Sequence, residues 1–212
     1  MSALRVGVLV SGRGSNLQAL MDAIARGETH AEIALVVSNH ADAYALRRAE
    51  ARGIPRLVIE RRDFPSRRAQ QLAIAAALQR HGAELVVLAG FDRVITADFL
   101  AAFPGRVINI HPSLLPSFGG GLHAQAEALA YGVKVSGCTV HFVTNDVDGG
   151  PIILQAAVPV MEDDSVDSLA ARILEQEHAI LPRAVDLFAR GRLVVEGRRV
   201  RILPASDGAA DN

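Results

Sequence analysis

Short apolar runs that alternate with longer helical patterns constrain the fold of this chain more than any other feature. The strand-like runs lie near residues 4–10, 33–38, 56–59, 84–88 and 106–110, and helical patterns lie between them near 16–26, 42–52, 66–81 and 96–102. Such alternation is typical of a parallel sheet with helices on both faces. We therefore predict a Rossmann-like, doubly wound α/β fold with a mostly parallel sheet, in which a ligand binds at the carboxyl ends of the strands.

The second half of the chain has a different character. A stretch rich in Pro and Gly at 112–121 precedes a helical pattern near 123–131, strands near 136–144 and 151–160, and a long helix over about 165–189. Residues 191–204 have the pattern of a β-ribbon, and 205–212 are small and polar and are expected to fray. No convincing linker divides the chain, so we predict one domain over 1–190 with a C-terminal lobe, followed by the ribbon and tail at 191–212.

Composition excludes several classes of protein. Half of the residues are apolar, and 22 basic residues nearly balance 23 acidic ones, so there is no basic field to bind nucleic acid or a membrane surface. A small molecule is the expected partner. The sequence has a single cysteine and no signal-peptide or membrane-span pattern, which predicts a cytoplasmic protein. The seven histidines lack metal-site spacing, so we expect no metal.

A glycine-rich loop, Ser11-Gly12-Arg13-Gly14-Ser15-Asn16, joins the first strand to the first helix. Free backbone N–H groups at a helix N-terminus favour an anion. A dinucleotide is disfavoured because Leu17 stands where the third glycine of that fingerprint belongs. We favour a phosphate monoester, and a glycine turn that only joins strand to helix remains the alternative.

Polar side chains occur at the ends of two other strands. Asn109 and His111 are two residues apart, so they lie on one face of their strand and could together stabilise an oxyanion. Structural hydrogen bonding is an equally good interpretation of this pair. Asp148 lies in a turn that could serve only its own backbone. His141, on the preceding strand, is expected to have a supporting role.

Taken together, five separated motifs resemble the glycinamide ribonucleotide formyltransferase family over residues 5 to about 190. They are Ser11-Gly-x-Gly-Ser-Asn16, Leu88-Ala-Gly-Phe91, Asn109-Ile-His-Pro-Ser-Leu-Leu-Pro116, His141-Phe-Val143 with Asp148-Gly-Gly-Pro151, and Gln176-Glu177-His178. The resemblance implies the formyltransferase fold. It also implies transfer of a formyl group from 10-formyltetrahydrofolate, as co-substrate, to the amine of glycinamide ribonucleotide in purine synthesis.

The resemblance also implies a role for each matching residue. The catalytic group would be Asn109, His111 and Asp148, and the ribonucleotide would bind at Gly14, Ser15, Asn16 and Glu177. The folate would bind at Arg67, Asp92, Arg93, Val94, Ile95, Asn109 and Thr144. Residues 1–110 would then carry the ribonucleotide part and residues 111–190 the catalytic and folate part. The protein is expected to be a monomer or a homodimer.

Two segments depart from the family pattern. Residues 117–121 read Ser-Phe-Gly-Gly-Gly, with one residue more than usual and without the usual proline or basic residue. Asp92 stands where the family often has an apolar side chain, so it could disturb the folate cleft or point away from it. His123, which follows the loop, has no assigned role.

Other functions remain to be distinguished. A formyltetrahydrofolate hydrolase would share the Asn-His-Asp site but is expected to carry an N-terminal regulatory domain. A methionyl-tRNA formyltransferase is expected to carry an RNA-binding domain and a basic surface. A nucleotide-binding module without catalysis, or a dinucleotide oxidoreductase, would leave Asn109, His111 and Asp148 without a joint purpose.

Overall fold

The computed structural model describes residues 2–205, and within that range the backbone forms nine strands. They are β1 (Leu4–Val10), β2 (Ala31–Ser38), β3 (Arg56–Val58), β4 (Leu85–Leu88), β5 (Val107–His111), β6 (Val135–Phe142), β7 (Ile152–Pro159), β8 (Leu193–Glu196) and β9 (Arg199–Ile202). Each predicted strand is present, although β2 begins two residues earlier than expected. The predicted frayed tail falls almost wholly on 206–212, outside the described residues.

Six α-helices connect these strands in the described part of the chain, with a short 3-10 helix at Arg61–Asp63. They are α1 (Ser15–Ala25), α2 (Tyr44–Ala51), α3 (Arg67–Arg80), α4 (Ala97–Ala102), α5 (Ala124–Tyr131) and α6 (Val166–Ala189). Side-chain caps explain several starts: the Ser66, Thr96 and Ser165 hydroxyls accept hydrogen bonds from the first turns of α3, α4 and α6. Helix α1 has no side-chain cap, and no acidic residue lies in its first turn. Its first N–H groups therefore receive neither a capping side chain nor an opposing charge.

The strands form one sheet in the order β3-β2-β1-β4-β5-β6-β7-β9-β8. Strands β1 to β5 are parallel. Strand β6 pairs antiparallel with both β5 and β7, so β7 runs in the same direction as β5, and β9 joins β7 through the parallel pairing of Ile152 with Arg199. The predicted doubly wound, mostly parallel α/β fold is confirmed. The C-terminal ribbon of β8 and β9 extends the same sheet.

Strand order reverses between β1 and β4, since the chain moves outward to β2 and β3 before returning to β4. The backbones of the two strands remain joined beyond their ends, where the Ser11 N–H donates to the Gly90 carbonyl at 2.9 Å. Ligands of open α/β sheets bind at such a switch point because the adjacent loops leave in opposite directions. The glycine loop and the segment after β4 therefore border one crevice.

Successive side chains of the central strands point to opposite faces of the sheet, so the core has two layers. Val6, Val8 and Val10 of β1 are buried on the face covered by α1 and α6, whereas Leu9 is buried on the face covered by α3 and α4. Strands covered on both faces are apolar on both sides, which explains the continuous aliphatic runs of the sequence. No helix within residues 2–205 is long and apolar enough to cross a membrane.

Candidate active site

A cavity of about 460 Å³ opens at the carboxyl ends of β4 and β5. We call it the strand-end cavity. It is bordered by the segment after β4, by the end of β5 and by the turn between β6 and β7. Its lining includes Asp92, Arg93, Val94, Ile95, Asn109, His111, Gly120, His141, Thr144 and Asp148. The structure thus gathers around one cavity nearly all residues that the resemblance assigns to catalysis and to the folate.

Antiparallel pairing of β5 with β6 sets Asn109 opposite His141. The Asn109 Nδ2 atom lies 3.3 Å from His141 Nε2, while His141 Nδ1 lies 2.9 Å from the carbonyl oxygen of Phe142. Nδ1 must donate to that carbonyl, so Nε2 of a neutral ring accepts from the amide. Burial lowers the pKa of His141, which keeps the ring neutral. His141 therefore orients the Asn109 amide.

His111 and Asp148 contact each other in the lining of the strand-end cavity. His111 Nδ1 lies 3.4 Å from Asp148 Oδ2, and the side chains are only 6% and 14% exposed. His141 Nε2 is 3.6 Å from the other carboxylate oxygen, but a neutral ring makes no ion pair there. Asp148 has a φ of 52°, a left-handed conformation that Asp and Asn tolerate better than most residues. The turn thereby aims the carboxylate at His111.

The loop over residues 117–121 contacts this pair through its backbone. His111 Nε2 donates to the Phe118 carbonyl at 3.0 Å, and the Gly120 N–H donates to Asp148 Oδ2 at 2.7 Å. Both nitrogens of His111 thus face acceptors, so an imidazolium ring can donate on both sides. Sequence reasoning missed these contacts because main-chain atoms make them.

Asp92 lines the strand-end cavity, but its carboxylate binds the ends of β1 and β2. Oδ1 accepts from Asn39 Nδ2 at 2.8 Å, Oδ2 lies 3.0 Å from His40 Nε2, and the Asp92 N–H donates to Ser11 Oγ at 2.9 Å. Burial alone would raise the pKa of Asp92, but the hydrogen bonds from His40, Asn39 and Ser11 bring it below its ordinary value. The ionised carboxylate therefore fastens the segment after β4 to its neighbours.

Gln71 holds the other end of the same segment. This side chain of α3 is 1% exposed; its Nε2 donates to the Val94 carbonyl at 2.9 Å and its Oε1 accepts from the Thr96 N–H at 2.7 Å. A buried glutamine that satisfies backbone groups fixes their position. Sequence reasoning missed Gln71, although a polar pair on the apolar side of a helix was a usable signal.

A second cavity, of about 500 Å³, adjoins the first and shares Gly90, Ile110 and Pro112 with it. We call it the helix-side cavity because α6 forms one wall. Asn16 and Glu177 line it, and Asn16 Nδ2 donates to Glu177 Oε2 at 2.7 Å. Burial raises the pKa of Glu177, which the bond from Asn16 partly offsets. Two adjoining cavities with Asn109 and His111 beside their shared residues suit a reaction between two ligands.

Comparison with known proteins decides the family. Residues 4–185 match a family described as formyl transferase. The chain belongs to this family. A glycinamide ribonucleotide transformylase 1 from Symbiobacterium toebii, of known crystal structure, is 55% identical, with a TM-score of 0.94 over 96% of this chain and 95% of that one.

Other formyl transferase relatives differ in length. Phosphoribosylglycinamide formyltransferase of Escherichia coli is 42% identical over 98% of this chain and 100% of its own length. The trifunctional purine biosynthetic protein adenosine-3 of Drosophila melanogaster is 49% identical over 90% of this chain. The match spans only 14% of that protein's length.

The remaining predicted residues of this formyl transferase lie at different places. Gly14 has a φ of 70° and packs so closely on α2 that an added Cβ would meet Ala45 Cβ at 2.5 Å. Ser15 begins α1 and lines a third cavity, of about 380 Å³, on the other side of that helix. Arg67 begins α3 on the surface and lines neither the strand-end nor the helix-side cavity, and His123 also lines neither.

The described residues contain no side-chain group arranged to bind a metal ion or to act as a thiol nucleophile. Among residues 2–205, no group of three or more His, Cys, Asp or Glu side chains could hold a metal ion. Cys138 is buried in β6, and burial together with the charge of Glu177 raises its pKa to about 12. The thiol therefore stays protonated at neutral pH and is a poor nucleophile.

The position of the Asp92 carboxylate leads to a kinetic prediction. We expect Asp92→Asn to raise KM for the formyl donor about 3- to 10-fold and to leave KM for the amine acceptor unchanged. The hydrogen bonds of Asp92 with His40 and Asn39 hold one wall of the strand-end cavity in place, and because they are partly exposed, their loss has a moderate effect. Steady-state kinetics with each substrate varied separately would measure this. Asp98→Asn, which removes an exposed ion pair with Arg68, is the control. Equal increases in KM for both substrates would contradict an effect of Asp92 that is confined to the formyl donor.

Proposed function

We propose that this protein transfers the formyl group of 10-formyltetrahydrofolate to the amine of glycinamide ribonucleotide, giving formylglycinamide ribonucleotide and tetrahydrofolate in de novo purine biosynthesis. The observation that carries the proposal is the convergence of His111 and Asp148, 3.4 Å apart, with Asn109 in the same wall, beside the junction of two adjoining cavities. Relatives that match along their whole length and are named for this activity support it.

The strand-end cavity suits the folate. Val94, Ile95 and Val143 give it an apolar wall for a flat ring system, while Asn109 and Thr144 add polar groups. Arg93 lies at the same wall, where a cation would favour the glutamate tail of the donor. Arg67 remains a candidate for a more distant part of that tail.

The helix-side cavity suits the ribonucleotide. The uncapped N-terminus of α1, with Gly14, Ser15 and Asn16, is proposed to bind the phosphate, because free N–H groups and the helix dipole favour an anion. Glu177, which lines the same cavity, is proposed to accept hydrogen bonds from the ribose hydroxyls. The acceptor amine would then extend towards His111 and Asn109.

In the proposed reaction the acceptor amine attacks the formyl carbon directly, and no covalent intermediate forms on the enzyme. The carbonyl oxygen becomes an oxyanion that accepts a hydrogen bond from the Asn109 amide and is stabilised by the positive charge of protonated His111, whose two N–H groups face Asp148 and the Phe118 carbonyl. Neutral His141 holds the Asn109 amide in place for this role. Such donors typically contribute about a hundredfold to a thousandfold each to the rate.

The tetrahedral intermediate collapses when the bond between the formyl carbon and N10 of the folate breaks. The attacking amine loses one proton, and the leaving nitrogen gains one, so the proton count balances. Asp148 is placed to accept and pass on this proton, directly or through water, while its negative charge stabilises the His111 imidazolium. Binding both substrates side by side contributes further through proximity.

A single assay tests the proposal. The protein is incubated with 10-formyltetrahydrofolate, with and without glycinamide ribonucleotide, and both tetrahydrofolate and formate are measured. We expect tetrahydrofolate to form only with the acceptor and no formate to appear. Formate release without the acceptor would indicate a hydrolase, and no reaction in either case would overturn the proposal.

The proposed setting follows from the same residues. We propose a cytoplasmic enzyme with small-molecule substrates. The single, buried cysteine and the nearly balanced charge support this view. The expected division into a ribonucleotide half (1–110) and a catalytic and folate half (111–190) is replaced by one in which both halves line both cavities, since Asp92 and Asp148 line the strand-end cavity and Asn16 and Glu177 line the helix-side cavity.

A further inference from the structure

The basic charge of the helix-side cavity comes from one residue. Among the described residues that line this cavity, Arg13 is the only Lys or Arg, whereas Asp167 and Glu177 are acidic. The Arg13 backbone is held in place, because its carbonyl accepts a hydrogen bond from Arg48 Nε at 2.9 Å. The residue is exposed, and its guanidinium has no hydrogen-bond or ion-pair partner within residues 2–205. The side chain is therefore available to a ligand.

Asn16 shows independently that this cavity is built for a polar ligand. The residue is 8% exposed, its Nδ2 donates to Glu177, and its Oδ1 is buried without a hydrogen-bond partner. Leaving a buried acceptor unpaired costs free energy in a folded protein. An O–H or N–H of a ligand in the cavity would satisfy Oδ1.

The charge of the expected ligand exceeds what the backbone can balance. A phosphate monoester carries about −1.5 to −2 at neutral pH. The N-terminus of α1 offers only about +0.5 of partial charge. Asp167 lines the same cavity and opposes an anion, so a formal positive charge beside the helix N-terminus would strengthen phosphate binding. A guanidinium suits this place because its parallel N–H groups bind two phosphate oxygens at once.

We propose that Arg13 binds the phosphate of the ribonucleotide and makes the site specific for the phosphorylated acceptor. This rests on the proposed function, in which the helix-side cavity holds the ribonucleotide. Arg13 precedes Gly14, so its side chain leaves the loop one residue before the free N–H groups of α1 begin. Arg13 and the α1 N-terminus then bind one phosphate from two sides, and Asn16 faces the sugar or amide.

The test compares two ligands and three variants. Affinities of the full-length protein for glycinamide ribonucleotide and for its dephosphorylated riboside are measured by calorimetry, with Arg13→Gln, Arg13→Lys and the surface control Arg80→Gln. We expect Arg13→Gln to weaken the ribonucleotide about 10- to 50-fold, as is typical of a charge-assisted contact at a partly exposed site, and to leave the riboside unchanged. Arg13→Lys should recover part of the loss, and Arg80→Gln should resemble the unaltered protein.

Several outcomes would overturn the proposal. Equal losses for both ligands would mean that Arg13 only shapes the loop, and no loss for either would mean that it does not contact the ligand. A loss confined to 10-formyltetrahydrofolate would place the guanidinium on the folate tail. If the unaltered protein bound no ribonucleotide and formed no product, the proposed function itself would fail, which is distinguishable from a selective failure of Arg13.

Discussion

Asp148→Asn is expected to lower the single-turnover rate of formyl transfer by about a hundredfold or more while substrate binding is largely retained, as for loss of one transition-state electrostatic contact. The amide keeps the shape of the carboxylate, and Asn tolerates the φ of 52° at this position, so the backbone is not strained. What disappears is the negative charge 3.4 Å from His111 and the proton acceptor of the turn.

The double change His111→Ala plus Asp148→Asn should cost scarcely more than His111→Ala alone, because residues that act as one unit are not additive. Rapid-quench measurements across pH for both single variants and the double variant would establish this. Asp146→Asn, an exposed carboxylate in the same turn, is the matched control and should react normally. Fully additive losses would show that His111 and Asp148 act separately.

Gly150→Ala is expected to have the second large effect, through geometry rather than charge. A Cβ on Gly150 would lie 1.7 Å from the Phe142 carbonyl oxygen, so the turn after Asp148 must move away from β6. Overpacking of this kind costs about 1–3 kcal/mol of unfolding free energy. A shift of about 1 Å in a catalytic group costs roughly a hundredfold in rate.

Gly27→Ala provides the comparison for this variant. Gly27 has a φ of 75° and open space around its added Cβ, so only a backbone cost of about 1 kcal/mol applies. Urea unfolding and single-turnover kinetics would be measured for both variants. Only Gly150→Ala should lose activity in the folded state. A normal transfer rate in folded Gly150→Ala would mean that Asp148 is positioned independently of the strand before it.

Local sequence patterns predict the strands and helices of this protein well, because both layers of the core depend on short-range periodicity. Val6, Val8 and Val10 alternate with Leu9 in the sequence as they do in the two core layers. Strand order is different in kind. The antiparallel return of β6 beside β5 and the pairing of β9 with β7 depend on contacts between distant segments, which periodicity does not contain.

The candidate site likewise has residues that local sequence patterns predict and residues whose position depends on contacts between distant segments. A two-residue spacing places Asn109 and His111 on one face, and both line the strand-end cavity. The approach of Asp148 depends on the turn between two paired strands, so the residue pattern by itself favoured a local role in the turn, and only the family resemblance indicated catalysis. The direction of the Asp92 carboxylate depends on partners from two other strand ends and had no local signal.

The loop that meets His111 and Asp148 does so through the Phe118 carbonyl and the Gly120 N–H. These contacts use main-chain atoms, and the residues at both positions have a positive φ, 55° at Phe118 and 83° at Gly120, which glycine adopts at the lowest cost. The contacts also depend on the number of residues in the loop, because one insertion or deletion moves both atoms along the chain. A substitution that keeps the length of this loop and its positive φ angles therefore retains both contacts, whereas an inserted or deleted residue removes the acceptor of His111 and the donor to Asp148 together.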